Sequence, residues 1–150
     1  MNHVFDEDGN LNQEGVDRVW DGLNILLEAC HRRAKSKGWW ETQRNFGEMV
    51  ALMHSELSEA LEAYRDNDNM QQIRYEYKTD LGTQILYAPA FTSQDGLDLG
   101  KPVGVASEFA DVIIRIVDTC AALQIPLANA VVQKHAYNGT RSIRHGNKKC

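Results

Sequence analysis

The chain has 150 residues, a formal net charge of -5 and a sequence pI near 5.5. This length fits one domain over residues 1–150, large enough to bury a core without disulfide bonds or a structural metal. The acidic balance argues against a nucleic-acid-binding protein, because duplex binders usually carry a basic face. The C-terminal stretch is nevertheless basic, and so local a patch favours a small anionic ligand; it contains Lys134, Arg141, Arg144, His145, Lys148 and Lys149.

The cysteines and the hydropathy pattern bear on the compartment. Cys30, Cys120 and Cys150 are odd in number and lack the spacing of a metal site, so we expect reduced thiols. The sequence has neither a charged-then-apolar leader nor a long uncharged apolar run, which predicts no secretion and no membrane span. We therefore expect a cytoplasmic protein.

Two N-terminal segments have strong helical periodicity. The first begins near Asn12, where apolar residues start to recur at helical spacing, and Gly38 is predicted to end it. The second begins after Asn45, because Asn45-x-x-Glu48 resembles a capping box. Its apolar stripe is predicted to face the core and consists of Phe46, Met49, Val50, Met53, Leu57, Ala60, Leu61 and Tyr64.

Residues 67–104 differ in composition from the helices that flank them. Asp, Asn, Gly and Pro become frequent, and Ile73, Tyr75 and Tyr77 alternate with polar residues, which is typical of a strand. The turn sequence Asp80-Leu81-Gly82 predicts a β-hairpin with a second strand over residues 84–88. A two-stranded ribbon is marginal by itself, so we expect it to pack on the helices or on another subunit.

Two further helices are predicted in the C-terminal half. The third covers the apolar repeat from Ala106 to Ala121, and extra apolar residues on its flanks predict burial on several sides. The fourth opens at Pro126, which fits a first helical turn, and ends near Gly139, which fits an αL cap. The predicted fold class is therefore all-α, a bundle of four to five helices with a small β-hairpin insertion between the second and third.

Two carboxylate pairs are the most informative feature of the chain. Glu56 and Glu59 lie on the second helix and Glu108 and Asp111 on the third, and the i, i+3 spacing puts each pair on one side of a turn. Four such charges brought together repel one another unless a cation lies between them. Mg²⁺ is the predicted metal, because it prefers carboxylate and water oxygens and commonly acts on phosphates, and we expect Mn²⁺ to substitute.

Each pair taken alone has a simpler explanation. Glu-x-x-Glu occurs by chance on solvated helices, and Asp111 with Arg115 fits an i, i+4 ion pair on an exposed face. A di-iron bundle would need Glu-x-x-His on two helices, and only Glu28-x-x-His31 occurs. A non-catalytic helical protein that binds a nucleotide or regulates a partner stays open as an alternative to an enzyme.

Three segments carry a family resemblance: GWWETQRNFGEMVALMHSELSEALEAYR, KPVGVASEFADVIIRIVDTC and QKHAYNGTRSIRHGNKK. Together they resemble the MazG-like branch of the all-α nucleoside triphosphate pyrophosphatases, over residues 29–149. The resemblance implies Mg²⁺-dependent hydrolysis of a nucleoside triphosphate to the monophosphate and pyrophosphate. It implies a homodimer or homotetramer, and it implies metal ligands at Glu56, Glu59, Glu108 and Asp111.

A second set of residues is predicted to bind the phosphates of the substrate. Lys134, Asn138 and Arg141 fall at i, i+4 and i+7 on or just past the fourth helix, so they share one face that suits phosphate. The alternative is that they are solvated charges near a helix C-terminus. Tyr137 is either a further phosphate contact or a core residue.

The residues predicted to bind the base lie around the end of the first helix. His31 and Trp40 resemble a His and a Trp that bind the base in some relatives, with packing between helices as the alternative. The Trp39-Trp40 pair offers a broad stacking surface, which favours a purine deoxynucleotide such as dGTP. Among the carboxylates, Glu59 is our choice of general base.

Overall fold

The computed structural model describes residues 3–80, 82–87 and 100–141. These residues are mostly α-helical, as predicted, with a small antiparallel sheet between the second and third helices. The predictions that fall on Leu81, Ala88, Arg144, His145, Lys148, Lys149 and Cys150 lie outside the described residues. The helices are α1 (Gln13–Ser36), α2 (Phe46–Arg65), α3 (Val105–Ala122) and α4 (Leu127–Gly139), and the strands are β1 (Arg74–Thr79), β2 (Gly82–Leu86) and β3 (Lys101–Val103).

The first two helices begin at the predicted capping residues. The side chain of Asn12 accepts a hydrogen bond from the backbone N–H of Gly15 at 3.0 Å. Asn45 accepts from the N–H groups of Gly47 and Glu48 at 2.8 and 3.3 Å. Such caps satisfy N–H groups that have no partner within the helix, and each contributes about 1 kcal/mol. Gly38 follows α1 with φ +79°, a conformation that glycine adopts without strain.

The sheet contains the predicted hairpin and one strand more. β1 pairs with β2 in antiparallel register from Tyr75↔Leu86 to Thr79↔Gly82, which confirms the predicted hairpin. Gly82 belongs to β2 rather than to the turn, so β2 begins two residues before the predicted start at residue 84. β3, which the sequence analysis did not predict, pairs with the other edge of β1 and places Pro102 opposite Tyr75. The strand order is β2-β1-β3. A proline cannot donate to a ladder, so its position on an edge strand is the expected one.

The start of α3 is fixed by a buried aspartate from the loop after α2. Asp68 Oδ2 accepts a hydrogen bond from the backbone N–H of Val105 at 2.7 Å. Asp68 Oδ1 lies 2.6 Å from Arg74 Nε on β1, and the Asp68 side chain is 0% exposed. Gly104 has φ +97°, and a Cβ at this position would lie 2.4 Å from Asp68 Oδ2. Only a glycine therefore lets this carboxylate approach the first turn of α3.

The end of α4 differs from the prediction. Gly139 is the last helical residue, and the following Thr140 has φ −84°, so the expected αL glycine cap is wrong. Gly139 instead allows a close approach, because a Cβ there would lie 2.8 Å from Asn10 Oδ1. Pro126 occupies the N-cap position, one residue before the first helical turn.

Two of the predicted apolar faces are exposed in the single chain. Leu57, Leu61 and Tyr64 on α2 are 45%, 48% and 57% exposed, although the sequence predicts that they face the core. Phe109 and Ile113 on α3 are both 51% exposed, so the expectation that α3 is buried on several sides is wrong for one chain. The buried apolar residues are Met49, Ala60, Val105, Val117, Cys120 and Ala128.

Backbone contacts divide the described residues into two compact units. One lies within residues 1–41 and 117–150 and holds α1, α4 and the end of α3; here α1 contacts α4, and Trp20 Nε1 donates to Asn129 Oδ1 at 2.7 Å. The other spans residues 42–116 and holds α2, the sheet and most of α3. The single domain over 1–150 stays a prediction. No helix in the described ranges combines the length and apolarity needed to cross a bilayer.

Candidate metal centre and substrate-binding residues

Three of the four predicted metal ligands converge within the unit of residues 42–116. Glu56 on α2 and Glu108 and Asp111 on α3 each offer one carboxylate oxygen, and the three oxygens lie within 4.8 Å of one another. Glu56 is buried at 5% exposure, Glu108 is partly buried and Asp111 is exposed. Oxygens this close to one another can serve as ligands of one hard divalent cation. We call these three residues the acidic cluster.

The fourth predicted ligand, Glu59, lies beside the acidic cluster and is exposed. Its Oε1 accepts a hydrogen bond from Ser55 Oγ at 3.3 Å. Its charge is nevertheless close enough to raise the pKa values of Glu108 and Asp111. The i, i+3 relationship of Glu56 and Glu59 therefore puts one carboxylate at the buried end of the site and the other at its rim.

Two carboxyl groups of the acidic cluster have raised pKa values. Burial, followed by the charges of Glu59, Asp111 and Glu56, raises the pKa of Glu108 above its ordinary value. Burial and Glu56 raise the pKa of Asp111, against the opposing charges of Arg115 and Lys101. Burial and neighbouring like charges both favour the protonated form of a carboxyl group. A cluster of this kind binds protons or a metal ion, and the two compete.

Glu56 differs from the other two carboxylates because it already has a cationic partner. Arg115 Nε on α3 donates to Glu56 Oε1 at 2.7 Å, and Arg115 Nη2 lies 2.5 Å from the same oxygen. The sequence spacing alone also fits an exposed ion pair between Arg115 and Asp111, four residues earlier on α3. The hydrogen bond instead joins α3 to α2, while the charge of Arg115 also acts on Asp111.

In the other unit, His31, Trp40 and Asp118 form a hydrogen-bonded group. His31 Nδ1 lies 2.8 Å from Asp118 Oδ1, and Trp40 Nε1 donates to both oxygens of Asp118 at 2.9 and 3.1 Å. The two rings meet edge to face, with centroids 5.5 Å apart and planes at 68°. The sequence predicts that His31 and Trp40 act together, and the structure brings them together through a residue that the sequence analysis did not assign.

His31 also lines an open groove of about 470 Å³ in this unit. Trp40 is not among the residues that line it in the described part of the chain. The groove combines apolar side chains with amide and imidazole groups, which suits a partly polar planar ligand. Its lining includes Leu27, His31, Cys120, Ala121, Gln124 and Ile125.

The predicted phosphate contacts lie at the end of α4. Lys134 and Asn138 are exposed on α4, and Arg141 is exposed just beyond it. Tyr137 is 58% exposed, so the core alternative for this residue is wrong. Lys134 Nζ lies 5.3 Å from the centre of the Tyr137 ring, within the range of a cation–π contact. These four residues therefore offer cationic and polar groups on an accessible surface.

Cys30 and Cys120 are the cysteines within the described residues. Cys30 and Cys120 are free, as predicted for reduced cysteines. Burial and the charge of Asp118 raise the pKa of the Cys30 thiol, and burial raises that of Cys120. A thiol with a raised pKa is a poor nucleophile because it stays protonated.

The contacts of three residues near the candidate sites were not predicted from the sequence. Arg115 has an equally good partner within its own helix, so sequence spacing does not identify Glu56 as the group that it binds. Lys101 lies on the strand that was not predicted. Asp118 lies on α3, and no spacing in the sequence links it to His31 and Trp40.

No protein-family model matches the chain, and neither a curated protein nor a solved structure matches it. The MazG-like resemblance consequently rests on the quoted motifs, and the metal ligands and substrate contacts stay predictions.

Proposed function

We propose that this protein is a Mg²⁺-dependent nucleoside triphosphate pyrophosphohydrolase that yields the monophosphate and pyrophosphate. The observation that carries the proposal is the convergence of Glu56, Glu108 and Asp111, with one oxygen of each within 4.8 Å of the others. Burial and neighbouring carboxylates raise the pKa values of Glu108 and Asp111, and a cation at this position would offset both effects. The proposed substrates are deoxynucleoside triphosphates, with a purine such as dGTP first among them.

The donor set fits the proposed metal. Carboxylate oxygens are hard ligands, and a site with one buried and two more accessible carboxylates leaves room for water and phosphate oxygens. When bound, Mg²⁺ neutralises phosphate charge and lowers the pKa of a coordinated water. The proposed metal ligands are the three carboxylates of the acidic cluster, and Glu59 is proposed as a fourth ligand.

The residues of the chain have distinct proposed roles. Glu59, exposed at the rim of the acidic cluster, accepts the proton of the attacking water as general base. Arg115 holds the buried Glu56 carboxylate in one orientation. Lys134, Asn138 and Arg141 bind phosphate oxygens, with Tyr137 beside Lys134. His31 and Trp40 recognise the base.

The activity is tested by measuring pyrophosphate release from all eight ribo- and deoxynucleoside triphosphates with Mg²⁺, with EDTA as the metal-free control. The proposal expects stoichiometric monophosphate and pyrophosphate, and loss of turnover in Asp111→Asn. Glu62→Gln, which removes an exposed carboxylate from α2 outside the acidic cluster, is expected to retain activity. Stepwise release of orthophosphate would contradict the proposed release of pyrophosphate, and nucleotide binding without any turnover would contradict an enzyme.

The proposed assembly is a homodimer or homotetramer. Leu57, Leu61 and Tyr64 lie at i, i+4 and i+7 on α2 and form one exposed apolar stripe. Phe109 and Ile113 form a second exposed pair on α3. Large apolar side chains in contiguous groups are typical of surfaces that another protein covers, and closed symmetric assemblies of one chain are the commonest case.

A further inference from the structure

Asp118 is the common acceptor of two aromatic donors. Its side chain is 13% exposed, and it lies between His31 and Trp40, which reach it from α1 and from the segment after α1. An indole N–H can only donate, so Trp40 fixes Asp118 as an acceptor. His31 Nδ1 lies 2.8 Å from Asp118 Oδ1, and when this carboxylate acts as the acceptor the contact is a hydrogen bond from Nδ1–H to the carboxylate.

This bond determines which nitrogen of His31 carries the proton. When Nδ1 of a neutral imidazole is protonated, Nε2 has a lone pair and accepts hydrogen bonds. The Nε1–H of Trp40 donates to Asp118, so Trp40 helps to hold this carboxylate in place. His31 Nδ1 and Trp40 Nε1 both contact Asp118, so the ring nitrogen of this pair that can bind a ligand is Nε2 of His31.

The position of His31 makes that acceptor useful. The side chain is 22% exposed and lines the groove of about 470 Å³, a volume within the roughly 300–1,000 Å³ of small-molecule sites. Leu27, Ala121 and Ile125 give this groove apolar surface, and Asn24 and Gln124 add amide groups that can donate or accept. Glu28 and Arg32 also line the groove, and they form an ion pair with each other. A groove that offers apolar surface, two adaptable amides and the His31 imidazole as an acceptor fits a planar nitrogen heterocycle that presents an N–H group.

We infer that Asp118 is a positioning residue that sets ligand selectivity by holding His31 as the Nδ1–H tautomer, so that Nε2 accepts an N–H of a heterocyclic base in the groove. The inference rests on the proposed function for the identity of the ligand as a nucleotide base. Asp118 acts through His31 and Trp40 and does not itself contact the base. The same carboxylate also limits the rotation of both rings, because each donates to it.

The tautomer is measured by ¹⁵N NMR of the histidine side chains, in alkaline buffer where imidazoles are neutral. In the wild-type protein we expect Nδ1 of His31 to have a protonated-nitrogen shift and Nε2 an unprotonated one. Asp118→Asn is expected to mix or reverse the two forms, because an amide can donate to Nδ1. A wild-type His31 with its proton on Nε2 would overturn the inference without any variant being needed.

The ligand is tested with deoxynucleosides, which lack phosphates and therefore need neither the acidic cluster nor turnover. A deoxynucleoside with an N–H edge is expected to shift the Nε2 resonance of wild-type His31 and to leave that of Asp118→Asn much less affected. Asp21→Asn, which removes an exposed aspartate from α1, is the matched control and is expected to behave as wild type. No change in the His31 resonance with any of the common deoxynucleosides would overturn the assignment of the groove to a base.

Kinetics separate this role from a purely structural one. We expect Asp118→Asn to raise KM for the preferred nucleotide about tenfold, with kcat within about twofold and reduced discrimination among bases. A uniform loss of activity that tracks loss of folded protein, with base selectivity unchanged, would overturn the inference. If the wild-type protein hydrolyses no nucleotide, the proposed function fails, while the tautomer and deoxynucleoside measurements still decide the role of Asp118.

Discussion

Arg115 and Glu56 join the two helices of the acidic cluster through a single carboxylate oxygen. Arg115 Nε donates to Glu56 Oε1 at 2.7 Å, and Arg115 Nη2 lies 2.5 Å from the same atom. Only 7% of the Glu56 side chain is exposed, so this carboxylate depends on Arg115 for compensation when no metal is bound. Glu56 is therefore both a proposed metal ligand and a structural link between α2 and α3.

Replacement of Arg115 by Met is expected to destabilise the metal-free protein by about 1–3 kcal/mol, because it leaves the buried Glu56 carboxylate without its donor. Arg115→Lys keeps the charge and is expected to lose less. Urea unfolding measures the difference as a lower midpoint with an unchanged slope. Arg18→Met, which breaks an ion pair exposed by 70% and 51%, is the control and is expected to change stability little. Equal effects of Arg115→Met and Arg18→Met would contradict a supporting role for Arg115.

Glu108→Gln is expected to stabilise the metal-free protein at neutral pH. Burial and neighbouring carboxylates raise the pKa of Glu108 above its ordinary value of 4.5, so the folded state binds this proton more tightly than the unfolded chain. The resulting loss of stability begins as pH rises through 4.5 and is complete above the raised pKa. Thermal unfolding in EDTA tests this, with Glu62→Gln as the exposed control. A lower melting temperature for Glu108→Gln in EDTA would argue against repulsion in the cluster.

Mg²⁺ binding is expected to release protons on the acidic side of neutrality. Glu108 and Asp111 have raised pKa values, so part of each population is protonated at a pH where ordinary carboxylates are ionised. A metal that binds the ionised forms must displace those protons, and its affinity therefore falls as pH falls. Calorimetric titrations in two buffers with different ionisation enthalpies count the protons. Asp111→Asn should release fewer, and a proton count of zero at every pH would be inconsistent with ligation by these groups.

Asp68→Ala is expected to destabilise the protein by about 1–3 kcal/mol. The substitution removes the acceptor of the Val105 N–H at the start of α3 and leaves Arg74 without its ion pair. Because Glu108 and Asp111 lie in the first two turns of α3, fraying there is also expected to weaken Mg²⁺ binding. Asp66→Ala, at an exposed position two residues earlier, is the control for unfolding and for metal affinity. Unaltered Mg²⁺ affinity in Asp68→Ala would show that this cap does not support the cluster.

Light scattering coupled to size exclusion is expected to give the mass of a dimer or tetramer. Leu61→Glu places a charge in the middle of the exposed stripe on α2 and is expected to lower the mass, because burial of that charge in an interface is costly. Gln71→Glu adds the same charge at an exposed position outside the helices and should leave the mass unchanged. A monomeric wild-type protein would contradict the proposed assembly.

The helices were predictable because their signals are local. Asn12 and Asn45 mark two helix starts by side-chain chemistry that involves residues two or three positions away. The hairpin was predictable for the same reason, since its turn lies between adjacent strands. β3 was not, because its three residues include Pro102 and find their partner in β1, far away in the sequence. Gly139 was predicted to be an αL cap because glycine is common there, whereas in the structure it leaves room for the side chain of Asn10.

The sequence identifies most residues of the candidate site, but it does not determine which side chains contact one another. Spacing within each helix places the carboxylates in pairs, but it does not determine which of them lies at the buried end. Arg115 could pair with Asp111 or with a residue on another helix, and only tertiary structure selects Glu56. Asp118 depends on the same kind of information, because its partners His31 and Trp40 are separated from it by most of the sequence.

The most direct measurement is the anomalous scattering of a crystal soaked with Mn²⁺, which we expect to substitute for Mg²⁺. An anomalous peak coordinated by carboxylate oxygens of Glu56, Glu108 and Asp111, and absent from an Asp111→Asn crystal, is the predicted result. Wild-type crystals in which these three side chains point apart, with no peak between them at a Mn²⁺ concentration that supports activity assays, would contradict the metal centre and the hydrolase that depends on it.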